Sequence, residues 1–276
     1  MVVKIIALLL AGLGHNAMAM ENPLLIKSFN VAYQPAQGDD PTRALLDVYR
    51  LADAVNAPVL LFWHGGALMR GDKQLVTGLA RALAEQGIVV VAANHRLSPA
   101  VQHPVHLQDA AAAASWVKKH IADYGGNPQL IFLGGHSAGA YLSVQLTLDP
   151  RYLAAHGIML TDIAGVAAIS PFLYVEEVAP VRPKVVWGKD PSGWLEPSVS
   201  GYIGRHKPSM RLIYADRDDD WRRQQNERLA AALVAVEVDA QAVMVQDRSH
   251  TTIMTSADQV EDPVVKMIYQ FVSVGP

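Results

Sequence analysis

Ser137 lies at the centre of Gly135-His136-Ser137-Ala138-Gly139, and nothing else in the chain offers a serine in a comparable context. An apolar run, 129–134, precedes this segment, and a helix-forming run, 138–148, follows it. In that setting a Gly-x-Ser-x-Gly match reads as a sharp strand-to-helix turn that lifts the serine hydroxyl clear of a sheet. Side chains at the two glycine positions would collide with the neighbouring strand and helix. The helix that follows aims its free N–H groups at the same space. These are the parts for nucleophilic attack on a carbonyl carbon, with Ser137 as the candidate nucleophile.

Such an attack creates an oxyanion, which fixed N–H donors must meet. His64-Gly65-Gly66-Ala67 directly follows the apolar run 59–63 and has the glycine content that lets a backbone turn its N–H groups outward. The expected donors are the N–H groups of Gly66, Ala67 and Ala138, with Gly65 making the turn. His64 is expected to hold this loop by hydrogen bonds and not to act as a base. A serine hydroxyl also needs a base to take its proton. The chain has ten histidines. In strand–turn–helix serine hydrolases the order along the chain is serine, acid, histidine. His250, in Asp247-Arg248-Ser249-His250-Thr251-Thr252, is the histidine that follows the last apolar run, so it is the expected base. The acid that orients it should follow the preceding strand. Ala215-Asp216-Arg217-Asp218-Asp219-Asp220 offers four carboxylates there, most of which a plain solvated surface would also explain.

The elements that must position these groups alternate. Residues 26–33 and 44–51 read as two early strands joined by a polar turn. Runs 59–63, 88–93, 129–134, 163–169, 210–214 and 240–245 read as strands. Segments 72–86, 107–124, 138–148, 224–236 and 263–272 have helical spacing. Strands alternating with helices give a doubly wound α/β fold, a mostly parallel sheet with helices on both faces, and the two early strands suggest an antiparallel edge.

The chain has 276 residues, 51% of them apolar and 18% charged, which suits one domain with a large core. Its net charge of −3 gives no ground for a nucleic-acid or anionic-membrane partner. With no cysteine, disulfides, thiolate catalysis and Cys-ligated metals are excluded. Lys4, the apolar run 5–13 and Ala17-Met18-Ala19 read as a secretory signal peptide over 1–19. The mature domain is then 20–276, periplasmic or secreted, with no membrane partner once the signal is removed. An anchor or a buried first strand is the competing reading, but the run is half the length of a spanning helix.

Taken together these motifs resemble the α/β-hydrolase superfamily, in particular the feruloyl/acetyl-esterase-like carboxylesterase branch, near the hormone-sensitive-lipase-like esterases and kynurenine formamidases. The resemblance rests on Trp63-His64-Gly65-Gly66-Ala67, Arg96-Leu97-Ser98-Pro99, the 109–126 helix ending in Gly125-Gly126-Asn127-Pro128, Gly135 to Gly139, and Trp187-Gly188-Lys189-Asp190-Pro191. It implies an α/β-hydrolase fold with an eight-stranded sheet and a small cap. It also implies an acid in a Gly-x-x-Asp pattern, which here aligns with Ala215-Asp216-Arg217-Asp218 and selects Asp218, with Asp216 second. The chain departs from the family at Ala215, at His95 where a tyrosine is common, at Ser198-Val199 and at Thr251. The implied function is a serine carboxylesterase acting on a small-molecule ester, or a polysaccharide-bound one, without cofactor or metal. His103-x-x-His106 lacks an evident third ligand. An arylformamidase using the same triad and a non-catalytic ligand-binding homologue are the alternatives. Residues 171–209 are available for a small cap, and the mature N-terminus, 20–25, could also fold over the site. Phe172, Tyr174, Trp187, Trp194 and Tyr202 there suggest either an aromatic wall beside Ser137 or simply a cover for the core.

Overall fold

The computed structural model describes residues 24–181 and 184–275, so the expected signal segment, 1–19, lies outside the described residues. Eight strands form one sheet in the order β1-β2-β4-β3-β5-β6-β7-β8. They are β1 Leu25–Ala32, β2 Leu45–Leu51, β3 Ala57–Trp63, β4 Val89–Ala93, β5 Gly126–His136, β6 Ile163–Ile169, β7 Ser209–Arg217 and β8 Ala240–Ser249. β2 pairs antiparallel with both β1 and β4, and every pairing from β4 to β8 is parallel. The protein therefore has the α/β-hydrolase fold.

The period-two alternation of the strands sorts the core into two layers. Val59, Leu61 and Trp63 of β3 face one side of the sheet, with Leu107 and the run Ala110 to Ala114 of α2 (Val105–His120) and Tyr141 and Leu142 of α3 (Ala138–Leu148). Leu60 and Phe62 face the other side, with Leu79 and Leu83 of α1 (Thr77–Ala84) and Val264, Val265 and Ile268 of the closing helix Pro263–Val274. Both faces are covered, which is why the central strands read as unbroken apolar runs. The alanines of α2 allow close approach to the sheet, and all five are buried. Towards β8, Leu229 and Leu233 of the helix Asp220–Val234 pack on Val166, Ala168 and Leu212.

Three strands run further than their apolar runs suggest. β5 reaches His136, and β7 and β8 reach Arg217 and Ser249. These polar extensions bring the segments around Ser137, Asp218 and His250 to the same end of the sheet. Among the described residues no helix is long and apolar enough to cross a membrane.

Candidate active site

Ser137 sits between β5 and α3 with φ 53° and ψ −110°, a conformation that a residue with a side chain rarely adopts. Its N–H donates to the Ile169 carbonyl at 2.8 Å, and its carbonyl accepts from the Tyr141 N–H at 3.0 Å. The turn is tight enough that a Cβ on Gly139 would stand 2.1 Å from the Trp63 carbonyl oxygen, so only glycine fits. The side chain is thereby held at the rim of the sheet and 7% exposed.

His250 follows β8 and reaches Ser137 with its Nε2 2.9 Å from Oγ. Its Nδ1 lies 2.7 Å from Oδ1 of Asp218. An ionised carboxylate only accepts, so Nδ1 carries the proton, and Nε2 is left to accept from the serine hydroxyl. Asp218 is 4% exposed. Burial would raise its carboxyl, but hydrogen bonds from His250, Ser170 and the Ala215 N–H outweigh that and hold its pKa below the ordinary carboxylate value. The Ser170 hydroxyl donates to Oδ2 at 2.5 Å and the Ala215 N–H at 3.0 Å. Asp216 points elsewhere and accepts from the Arg248 N–H at 2.9 Å. Of the two carboxylates weighed from the sequence, Asp218 is the one brought to the imidazole.

Gly65 and Gly66 turn directly after β3. Gly66 has φ 130°, a region open to glycine, and a Cβ there would lie 2.0 Å from the Arg70 carbonyl oxygen. Ala67 and Leu68 follow with φ of 58° and 61°. The Gly66 carbonyl accepts from the Met69 and Arg70 N–H groups, whereas the Gly66 and Ala67 N–H groups make no hydrogen bond among the described residues. The Ala138 N–H, in the first turn of α3, has no intrahelical acceptor. His64 Nδ1 donates to the Gly65 carbonyl at 2.7 Å and braces the loop. His136 Nε2 donates to the His250 carbonyl at 2.9 Å, with the two rings 4.9 Å apart. Burial, then the neighbouring His250, push the His136 pKa down to about 3, so it remains neutral and serves as a fixed donor.

A cavity of about 450 Å³ opens over Ser137 and His250. Leu75, Val76 and Met254 give it an apolar side, Thr251 and Thr255 a polar one. Of the two readings of the cap aromatics, the structure bears out the cover for the core. Phe172 stacks on Tyr141 at 4.7 Å, and Trp187 packs edge-on against both at 5.4 and 6.3 Å. Trp194 is 6% exposed within the same core, and the Tyr202 hydroxyl donates to the Glu196 carbonyl at 3.1 Å. These rings cover the core because a cap this short must be anchored by its own large side chains. Ser170 and Arg222 were not singled out in the sequence. Ser170 lies just past β6, and Arg222 stands one helical turn beyond Asp218, with its Nε 3.6 Å from Oδ1 and Nη1 donating to the Ser170 carbonyl at 2.7 Å. The i,i+4 spacing of Asp218 and Arg222 was the available signal. His103 and His106 part company: His103 meets Glu196, and His106 Nε2 lies 3.2 Å from Ser98 Oγ. Among the described residues no cluster of three or more metal-ligating side chains forms.

Residues 46–152 match the family model BD-FAE. Esterase LipC of Mycobacterium tuberculosis is 38% identical over 201 residues, covering 66% of this chain and 49% of that protein. LipM of the same organism, a probable carboxylic ester hydrolase, is 42% identical over 114 residues, 39% of this chain and 26% of that protein. The chain thus spans half or less of the length of these curated relatives. A truncated carbohydrate esterase from gut microbiota superposes with a TM-score of 0.76 at 19% identity, covering 93% of this chain and 98% of that one. Thermogutta terrifontis esterase 2 superposes with a TM-score of 0.74 at 20% identity, covering 90% and 94%. At such identities the superpositions speak for the fold alone. The chain has the α/β-hydrolase fold and, over residues 46–152, is similar to the BD-FAE family.

Proposed function

We propose that this protein is a serine carboxylesterase that hydrolyses short-chain or aryl esters through an acyl-serine intermediate. The observation that carries the reading is the unbroken hydrogen-bond chain Ser137–His250–Asp218 opening on a cavity. Ser137 Oγ attacks the ester carbonyl while His250 Nε2 takes its proton. Asp218 keeps the imidazole in the productive tautomer and stabilises the imidazolium. The N–H groups of Gly66, Ala67 and Ala138 hold the oxyanion, each such donor being worth about 3–4 kcal/mol in the transition state. His250 then passes the proton to the departing alcohol oxygen, leaving the acyl group on Ser137. Water, deprotonated by His250, releases the acid and restores the serine. No step calls for a cofactor.

A cavity of this size and a cap of this length suit a compact acyl or aryl group, because methylenes projecting into water gain nothing from burial. The signal-like segment 1–19 directs the enzyme to the periplasm or beyond, where polysaccharide-bound esters join small ones as substrates. The test is kcat/KM for 4-nitrophenyl esters from acetyl to hexadecanoyl, with methyl ferulate, acetylated xylan and N-formylkynurenine alongside. The expected maximum lies among the short acyl chains. A maximum at ten carbons or more overturns the size reading, and cleavage of the formamide alone overturns the ester reading.

A further inference from the structure

Two arginines, Arg70 and Arg222, line the cavity over Ser137, and no carboxylate is among its lining residues. Arg222 is 4% exposed and has Asp218 and the Ser170 carbonyl beside it. Arg70 is different. It is exposed, and its guanidinium makes no hydrogen bond or ion pair among the described residues. Every other described arginine has one. Arg50 donates to the carbonyls of Leu51 and Ala52. The rest pair with acids, from Arg43 with Asp40 and Arg96 with Asp109 to Arg228 with Glu177 and Arg248 with Asp262. In a chain with more acidic than basic residues, partners for a surface arginine are plentiful. The one left without a partner among the described residues stands at the mouth of the cavity.

The backbone fixes where Arg70 starts. Its N–H donates to the Gly66 carbonyl at 3.1 Å, folding the chain back on the glycine loop. Its Cγ lies 3.2 Å from where a Cβ on Gly66 would stand. The side chain therefore rises from directly beside a candidate oxyanion donor, towards whatever substrate fills the cavity. A guanidinium offers five donors in a planar fork that matches a carboxylate in two-point contact.

We propose that Arg70 is a specificity residue that binds an anionic group of the substrate, a free carboxylate carried a few atoms from the scissile ester. The substrate class is half-esters of dicarboxylic acids, or esters whose alcohol bears a carboxylate. The proposal builds on the esterase reading, and its test separates the two. Two matched pairs distinguish the side on which the anion lies. Mono(4-nitrophenyl) glutarate against its methyl ester places the charge on the acyl side, and 4-acetoxybenzoate against its methyl ester places it on the leaving side. The ratio of kcat/KM, anionic over neutral, is expected to fall about tenfold on Arg70→Met in one pair. It should recover in part with Arg70→Lys and shrink as salt is added to the native protein. Titrating the Ser137→Ala protein, with and without Arg70→Met, with the same four esters reads the same preference as binding, without turnover. Ratios within twofold of native in both pairs, with no anion preference in binding, overturn the proposal. Absence of any cleavage with the binding preference intact overturns the esterase reading and supports the role of Arg70. Absence of both cleavage and anion-dependent binding overturns the two together.

Discussion

Lowering the pH from 7.5 to 5 should strip this protein of much of its stability, and three buried, adjoining histidines set the size of the loss. His64, His95 and His106 are each 1% exposed. The rings of His64 and His95 stack at 4.8 Å, and His106 meets His95 edge-on at 6.1 Å. Burial, followed by the neighbouring imidazole, pushes their pKa values down to about 3, about 4 and about 3. In the unfolded chain each titrates near about 6.5. A depressed folded pKa means that the unfolded state binds more protons between about 6.5 and the folded value. The stabilisation is therefore complete above about 6.5 and is lost as the pH falls towards 4. Each site costs about 1.4 kcal/mol per pH unit inside that window, and the three together cost about 6 kcal/mol between pH 7.5 and 5. That is comparable with the whole stability of an ordinary domain, roughly 5–15 kcal/mol. His136 adds a loss of the same sign. Depressed carboxylates such as Asp72, Asp162 and Asp218 act in the same direction but mainly below pH 5. Urea unfolding at pH 7.5, 6.5, 5.5 and 5.0 measures the slope. His95→Tyr, which installs the residue common in the resembling family, removes one titrating site. It should reduce the slope by about 1.4 kcal/mol per pH unit whatever it does to stability at pH 7.5. A stability that is flat from pH 7.5 to 5, or a slope unchanged in His95→Tyr, would refute the reasoning.

Asp218→Asn should lower kcat by about 10⁴-fold through the wrong imidazole tautomer, whereas Asp216→Asn stays within a few-fold of native; steady-state kinetics on a 4-nitrophenyl ester separates them. Equal losses in the two variants would contradict the assignment of the acid. Ser170→Ala removes a donor from the Asp218 carboxylate and should cost roughly tenfold in kcat/KM with an unchanged fold by circular dichroism. A variant as active as native would reduce Ser170 to packing.

The sheet was legible because its central strands are buried on both faces and so appear as unbroken apolar runs. Polar strand ends were not legible. Nothing apolar marks the continuation of β7 to Arg217 or of β8 to Ser249, yet these ends carry the chain to Asp218 and His250. Ser137, His250 and the Gly65-Gly66 loop could be read because their chemistry demands particular residues at particular turns. Choosing between Asp216 and Asp218 needed the family resemblance, since neighbouring acids on a strand end differ only in the direction they face. The cap aromatics left two readings open. A tryptophan sequence looks the same whether the ring lines a pocket or fills a core, and here Trp187 and Trp194 fill the core. Ser170 and Arg222 went unnoticed because their importance lies in contacts with Asp218, more than forty positions away from Ser170 and one helical turn from Arg222.

The most direct measurement is covalent labelling with a fluorophosphonate, followed by peptide mass spectrometry. An activated serine attacks such a probe, and an ordinary one does not. The account predicts one adduct, on the peptide carrying Ser137, that disappears in Ser137→Ala while the thermal unfolding midpoint stays near native. Labelling at another serine, or labelling that persists in Ser137→Ala, would contradict it.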